Sequence, residues 1–286
     1  MHTDEDSCIE LAGRIARGDL MLGLLPLEAA DEVAAGLSAA GRAGSARAWR
    51  ELGLAYLAID GDRLPPVGWA ADLPFPDGVD DTGGRALRCF AEAARLGDRD
   101  GALMFAASTR EASAAAQEAA RELLRPHADA DPAAGYAYGL LEQWLGRPGA
   151  AIEHHLRAAG QGDADAAFEL YALFSTGEGV ERDEAEGQRW LAVAAELGQD
   201  RALYNVGAAH ATGANGYPLD MTMAVDFYTR AARAGNSRAA ATLGVMHLTG
   251  EGVAEDRDQA REWFETADDL GHPVDEWLAH LGLRRP

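Results

Sequence analysis

The sequence predicts an all-α protein: a right-handed α/α solenoid of tandem helical hairpins, with a proline- and aspartate-rich insertion in the first hairpin. Three observations carry the prediction. Gly177, Gly213 and Gly250 recur at spacings of 36 and 37 residues. Trp190, Phe227 and Trp263 recur at 37 and 36, as do Gly198, Gly235 and Gly271. The residues between these marks show apolar stripes of helical period.

One copy shows how such a unit forms. Ala167, Leu170, Tyr171 and Phe174 fall on one face of a helix. Gly177 and Gly179 then break it and supply turn conformations. Val180 follows them as a plug for the hairpin. A second helix starts near Asp183, where Asp183, Glu184 and Glu186 favour its positive N-terminal end. Trp190, Ala194 and Leu197 form its buried stripe, and Ala194 and Ala195 let helices approach closely. Gly198 ends it, and Gln199 and Asp200 open the next copy. A single hairpin cannot bury both apolar faces; a stack of them can.

These residues resemble the Sel-one-like repeat family, close kin of tetratricopeptide repeats. Leu243, Gly244, Gly250, Gly252, Val253, Asp256, Ala260, Trp263, Phe264, Ala267 and Gly271 match its pattern in order. The match is strong over three tandem copies and weaker upstream. The expected organisation is N-terminal capping helices over 1–44, and a repeat over 45–98 with an inserted loop at 60–82. Two divergent repeats follow over 99–162, three well-matched repeats over 163–272, and a C-terminal capping helix over 273–286. In the first repeat, Leu52, Gly53 and Tyr56 match a first helix. Ala86, Phe90, Ala93, Ala94 and Gly97 match a second. Atypical ends are expected where a stack must stop.

Composition excludes several classes of function. A chain of 286 residues, 48% of them hydrophobic, buries a sizeable core and is not disordered. No stretch approaches the roughly 18 uncharged apolar residues of a membrane span. The beginning, MHTDEDSCIE, is acidic where a secretory signal is basic and apolar. Cys8 and Cys89 make no disulfide framework. A cytoplasmic location is therefore expected. The net charge of −22 is unlike a nucleic-acid groove and repels anionic membranes, so neither partner is expected. All 25 basic residues are arginine, which rules out a Walker A loop, a Ser-Lys dyad and Schiff-base chemistry.

Residues that could carry chemistry read mainly as packing. His210 and His247 lie three residues after Gly207 and Gly244, the slot of Tyr56 and Phe174. His154 falls in the slot assigned to Phe90, Trp190, Phe227 and Trp263, with His155 expected on another face. HExxH, CxxC and GxSxG are absent, and the resemblance implies that the Asp-x-Asp pairs mark repeat junctions and helix starts, where they cap. No catalytic residue, cofactor, metal or small-molecule ligand is expected, and the chain is not expected to be an enzyme. The insertion DGDRLPPVGWAADLPFPDGVDD holds Pro65, Pro66, Pro74 and Pro76. It also sets Trp69 and Phe75 among six aspartates, as a packed lid or a partner anchor. From Asp163 to Asp200, ten acids face two arginines, a local charge of −8.

The resemblance implies adaptor or scaffold work, with a protein or peptide bound on the concave surface by the first helices. Candidate contact residues are Trp69, Phe75, Glu169, Asn205, His210 and Arg238. An acidic inhibitor, such as an immunity-type protein that neutralises a cationic enzyme, is the alternative that the charge suggests. An enzyme with a site beneath residues 60–82 would need a nucleophile, base and orienting group, which the sequence does not assemble.

Overall fold

Helix starts in the tandem region are set by side chains that cap the first exposed amides. The computed structural model describes residues 6–10, 27–58 and 82–286. Among the described residues, 6–10 are helical and fourteen further helices follow. They are α1 (Leu27–Arg42), α2 (Ala46–Ala58), α3 (Thr82–Arg95), α4 (Arg99–Ala107), α5 (Ala114–Leu124), α6 (Pro132–Trp144) and α7 (Pro148–Gly160). Then come α8 (Ala164–Thr176), α9 (Glu184–Glu196), α10 (Asp200–Thr212), α11 (Met221–Arg233), α12 (Ser237–Thr249), α13 (Arg257–Asp269) and α14 (Val274–His280). No strand is present among the described residues. The chain divides into two compact units, Met1–His154 and His155–Pro286, and the division falls within α7.

In the second unit, α8 packs on α9, α10 on α11 and α12 on α13 as hairpins. Contacts of α9 with α10 and of α11 with α12 join neighbouring hairpins, and α14 packs on α13. Asp163, Asp183, Gln199, Asp220, Asn236 and Asp256 cap α8 to α13, each accepting a backbone N–H of the first turn. Gly177, Gly213 and Gly250 end the first helices with φ of 80°, 68° and 75°, a left-handed conformation that a side chain would strain. Across each hairpin, the N–H of Asp183, Asp220 or Asp256 donates to the carbonyl of Phe174, His210 or His247, at 2.9 Å in all three. The turns are thus one device used three times.

Hairpin cores are built by pairing a small residue with a large one. A Cβ added at Gly244 would lie 2.4 Å from the Phe264 ring, and one at Gly207 would lie 3.0 Å from Tyr228. In the copy between them and the first unit, Tyr171 takes the glycine's place and Leu191 takes that of the ring. Bulk has changed sides.

In the first unit, α1 packs on α2, α2 on α3, α3 on α4, and α4 on both α5 and α6. Its core holds Leu37, Trp49, Leu52, Tyr56, Phe90, Phe105, Leu124 and Leu141. Gly53 meets Phe90 as Gly244 meets Phe264, with an added Cβ 2.6 Å from the ring.

This contact corrects the expected register. Phe90 corresponds to Tyr228 and Phe264, not to Phe227 and Trp263. Phe90, His155, Leu191, Tyr228 and Phe264 all lie seven residues before a closing glycine, and all are buried. His154, Trp190, Phe227 and Trp263 lie eight before it and are partly exposed. His155 does lie on another face from His154, but that face is the core: it is 0% exposed, in the more deeply buried of the two columns.

Candidate functional site

The first helices of the second unit present three rows of side chains, each residue at the same place in successive copies. One row is Asp165, Arg201 and Arg238, all exposed. Beside it lie Glu169, Asn205 and Thr242, partly exposed. The third row is Phe168, Tyr204 and Ala241; the two rings are partly exposed and the alanine is buried.

The rows are tied from copy to copy. The Arg201 guanidinium stands 4.3 Å over the Phe168 ring, and that of Arg238 stands 5.7 Å over Tyr204. Gln199 Nε2 donates to Asp165 Oδ1 at 3.3 Å, and Asn236 Nδ2 donates to Asp200 Oδ2 at 2.9 Å. Gln199 and Asn236, which cap α10 and α12, thus each bond the first turn of the first helix before. The face offers ring surface, guanidinium forks and amides held in place by neighbours. Such groups suit a peptide's carboxylates, backbone and apolar side chains. Acid stands at the α8 end and arginine at the α10 and α12 end.

The expected contact residues separate in this geometry. Glu169, Asn205 and Arg238 lie on the rows just described. His210 does not: it is only 7% exposed. Its Nδ1 is 3.1 Å from the Pro218 carbonyl oxygen, its ring stacks on Phe227 at 5.7 Å, and Tyr217 meets it edge-on at 5.0 Å. His210 braces the α10–α11 turn, as its slot in the packing column implies, and is no outward-facing contact. Trp69 and Phe75 lie outside the described residues. Arg201, Phe168 and Tyr204 were not singled out from the sequence. The signal was there, since each recurs with its neighbour's copy at the spacing of the repeat.

The titratable groups with shifted pKa values are explained by burial or ion pairing. Burial pushes the Tyr228 phenol up to about 12, with Tyr204 and Glu251 adding to it. Burial also raises Tyr56, Tyr138 and Tyr217. The Cys89 thiol is raised well above its usual value by burial, reinforced by Glu92. A thiol held protonated is a weak nucleophile. Among the described residues, no group of three or more His, Cys, Asp or Glu side chains is placed to hold a metal ion. No described helix is long and apolar enough to cross a membrane.

The Sel1 repeat model matches residues 83–98, 164–199, 200–236 and 237–272. The fold is similar to the crystal structure of a Sel1 repeat protein from Oxalobacter formigenes, with 24% identity and a TM-score of 0.64. That match covers 97% of this chain and 76% of the other. It is also similar to a protective antigen of uropathogenic Escherichia coli strains displaying an SLR fold, with 19% identity and a TM-score of 0.51. Here 97% of this chain spans 57% of that one. The α8–α13 hairpins and the Phe90 side of the Gly53–Phe90 contact thus coincide with matched repeats, and the chain carries Sel1 repeats at four positions, the last three in unbroken tandem.

Proposed function

We propose that the chain is a non-enzymatic adaptor or scaffold that binds a protein or peptide on the first-helix face of residues 163–272. The Sel1-repeat fold is that of a protein-interaction module. The observation that carries the finer reading is the row of guanidinia fixed over aromatic rings. Arg201 and Arg238 are exposed residues whose guanidinia are nonetheless positioned by Phe168 and Tyr204. Positioned polar groups lose less freedom on binding than loose ones.

A photo-crosslinking residue at Asn205 tests this, with one at Glu265, exposed on α13, as the control. Partner crosslinks from position 205 and none from 265 are expected in lysate of the source organism. Crosslinks from 265 alone would overturn the choice of face.

A second reading is favoured by one observation. Glu178, Glu181, Asp183 and Glu184 are all exposed around the α8–α9 turn of a chain with net charge −22. That arrangement suits an acidic inhibitor of a cationic protein, whose association rate would fall steeply with salt. Partner capture insensitive to salt would count against it. A reducing, cytoplasmic setting fits either reading, since Cys8 and Cys89 are both buried and neither forms a disulfide.

A further inference from the structure

The α10–α11 turn differs from its two neighbours in a way that packing does not explain. The turns before and after it are acidic. Residues 177–186 hold five acids and one arginine, and residues 250–258 hold four acids and one arginine. Residues 213–223 hold one acid, the capping Asp220. Apolar residues stand where the sister copies are charged or polar. Leu219 takes the place of Arg182 and Glu255, and Met223 that of Glu186 and Gln259. Leu219 is 68% exposed and Met223 39%.

A leucine just before a helix cap ordinarily folds onto the fourth helical residue. Here that residue is Ala224, itself 0% exposed, and Leu219 remains in water. The turn is also longer by one residue than its sisters and is braced from within. Asn215 takes a positive φ of 55°, Tyr217 N–H donates to the Ala214 carbonyl at 2.9 Å, and His210 Nδ1 meets the Pro218 carbonyl at 3.1 Å. The stack continues beside it, since a Cβ at Gly252 in the next turn would lie 2.9 Å from Met221 Cε. The chain has built a firm turn and used it to hold a leucine outward.

We propose that this turn is a docking knob for a protein surface that has an apolar recess flanked by lysine or arginine. Leu219 and Met223 supply the apolar anchor, and the acidic turns on either side select a basic rim. Charge complementarity also decides against a second copy of this chain, which would set acid against acid. The proposal rests on the reading of the chain as an interaction module, but not on which helix face holds the partner.

The probe is a dye-labelled amphipathic helical peptide of leucine and lysine, with a second peptide in which glutamine replaces each leucine. Anisotropy titrations compare wild type with L219Q/M223Q, which keeps the net charge. The expected result is roughly tenfold weaker binding of the leucine peptide by the variant, with the glutamine peptide unaffected. Equal binding of the leucine peptide by both proteins would overturn the proposal, as would equal binding of both peptides by wild type. E255L/Q259M copies the knob into the next turn and should strengthen binding of the leucine peptide. It decides the matter if the first variant does not fold, and no gain would overturn the proposal. A wild-type dimer that L219Q/M223Q disperses in sedimentation would overturn the assigned partner class. Each of these failures leaves the crosslinking result at Asn205 intact.

Discussion

The two units solve the same joint with opposite polarity. In each, the residue that caps a first helix bonds the first helix of the hairpin before it. In the first unit the cap is the acid and its partner an arginine: Arg50 donates to Asp98 at 2.8 Å, and Arg99 pairs with Asp131 at 2.7 Å. At α10 and α12 of the second unit the cap is an amide and its partner the acid, as in Gln199 with Asp165 and Asn236 with Asp200. The cap side chain serves two bonds at once in all four cases, since it also accepts an N–H of its own helix. Fixing repeat register therefore requires a donor–acceptor pair at this point, not a particular charge. What the polarity does change is the response to salt and pH.

The largest test concerns what both units share. Phe264→Ala removes a fully buried ring and should cost about 3–5 kcal/mol. Hydrogen exchange should then speed up in α12 and α13 while α2 to α4 stay protected. Gly244→Ala forces the same ring aside and should cost about 1–3 kcal/mol. Part of that cost should return in G244A/F264L, which moves toward the Tyr171–Leu191 arrangement. Strict additivity in the double-mutant cycle would show that bulk cannot be exchanged across this contact.

A second test belongs to the first unit. Glu142 is buried, its carboxylate held by Arg121 Nε at 2.5 Å, with Arg147 Nη1 at 3.6 Å. Arg121 also lies 5.3 Å over the Tyr138 ring. Arg121→Ala leaves a buried carboxylate with only the more distant arginine. Because the Arg121 side chain is itself 24% exposed, the expected loss is about 2–3 kcal/mol, below that of a fully buried pair. Glu142→Gln should cost less than Arg121→Ala in thermal unfolding. The reverse order would mean that the carboxylate's remaining partners outweigh its desolvation even without Arg121.

The joints themselves come next. Asp131→Ala and Asn236→Ala each remove a cap and should each cost about 1 kcal/mol. They should diverge with conditions. Burial alone would raise the Asp131 carboxyl, but hydrogen bonds from Arg99 and the Ala134 N–H outweigh it, so the group is lowered. Its contribution is present above the ordinary carboxylate range, near pH 3.9, and is lost as the pH falls through the lowered folded value. Added salt should shrink the cost of Asp131→Ala and leave that of Asn236→Ala nearly unchanged. Equal salt dependence would erase the distinction between the units.

Much of this was legible in advance because a repeat writes its constraints several times. The glycines that end α8, α10 and α12, and the aspartates that open α9, α11 and α13, each serve a local backbone need. Such needs show in spacing alone. The buried column is ambiguous in the sequence because two adjacent aromatics, such as Phe227 and Tyr228 or Trp263 and Phe264, offer two helical registers. Only the depth of burial separates them. Counting back from the closing glycine would have placed Phe90 and His155 correctly. A histidine in a tyrosine slot, as at His210, is compatible with both packing and an outward position. The added turn residue and Pro218 carbonyl that fix it are a tertiary fact. The exposure of Leu219 was invisible for the same reason, since a leucine beside a cap ordinarily packs.

The smallest effect separates the units by pH window. His272 lies just before α14, its ring edge-on to Trp277 at 5.6 Å. Its pKa is lowered, chiefly by burial and also by the charge of Arg238, with Asp268 pulling weakly the other way. A histidine lowered in the folded state stabilises the protein above its unfolded pKa, about 6.5, and that stability is lost as the pH falls. The second unit should therefore begin to weaken near pH 6.5, well before the Asp131 joint of the first unit responds. His272→Gln should remove this onset, so that the wild-type and variant stability curves differ in slope by less than about 1 kcal/mol in total between pH 7 and pH 5. Hydrogen exchange within α12 to α14, measured across that range, reads the effect where a global melt would blur it. Parallel curves would mean that the histidine gains its proton without cost, and that the two units share one acid limit set by carboxylates.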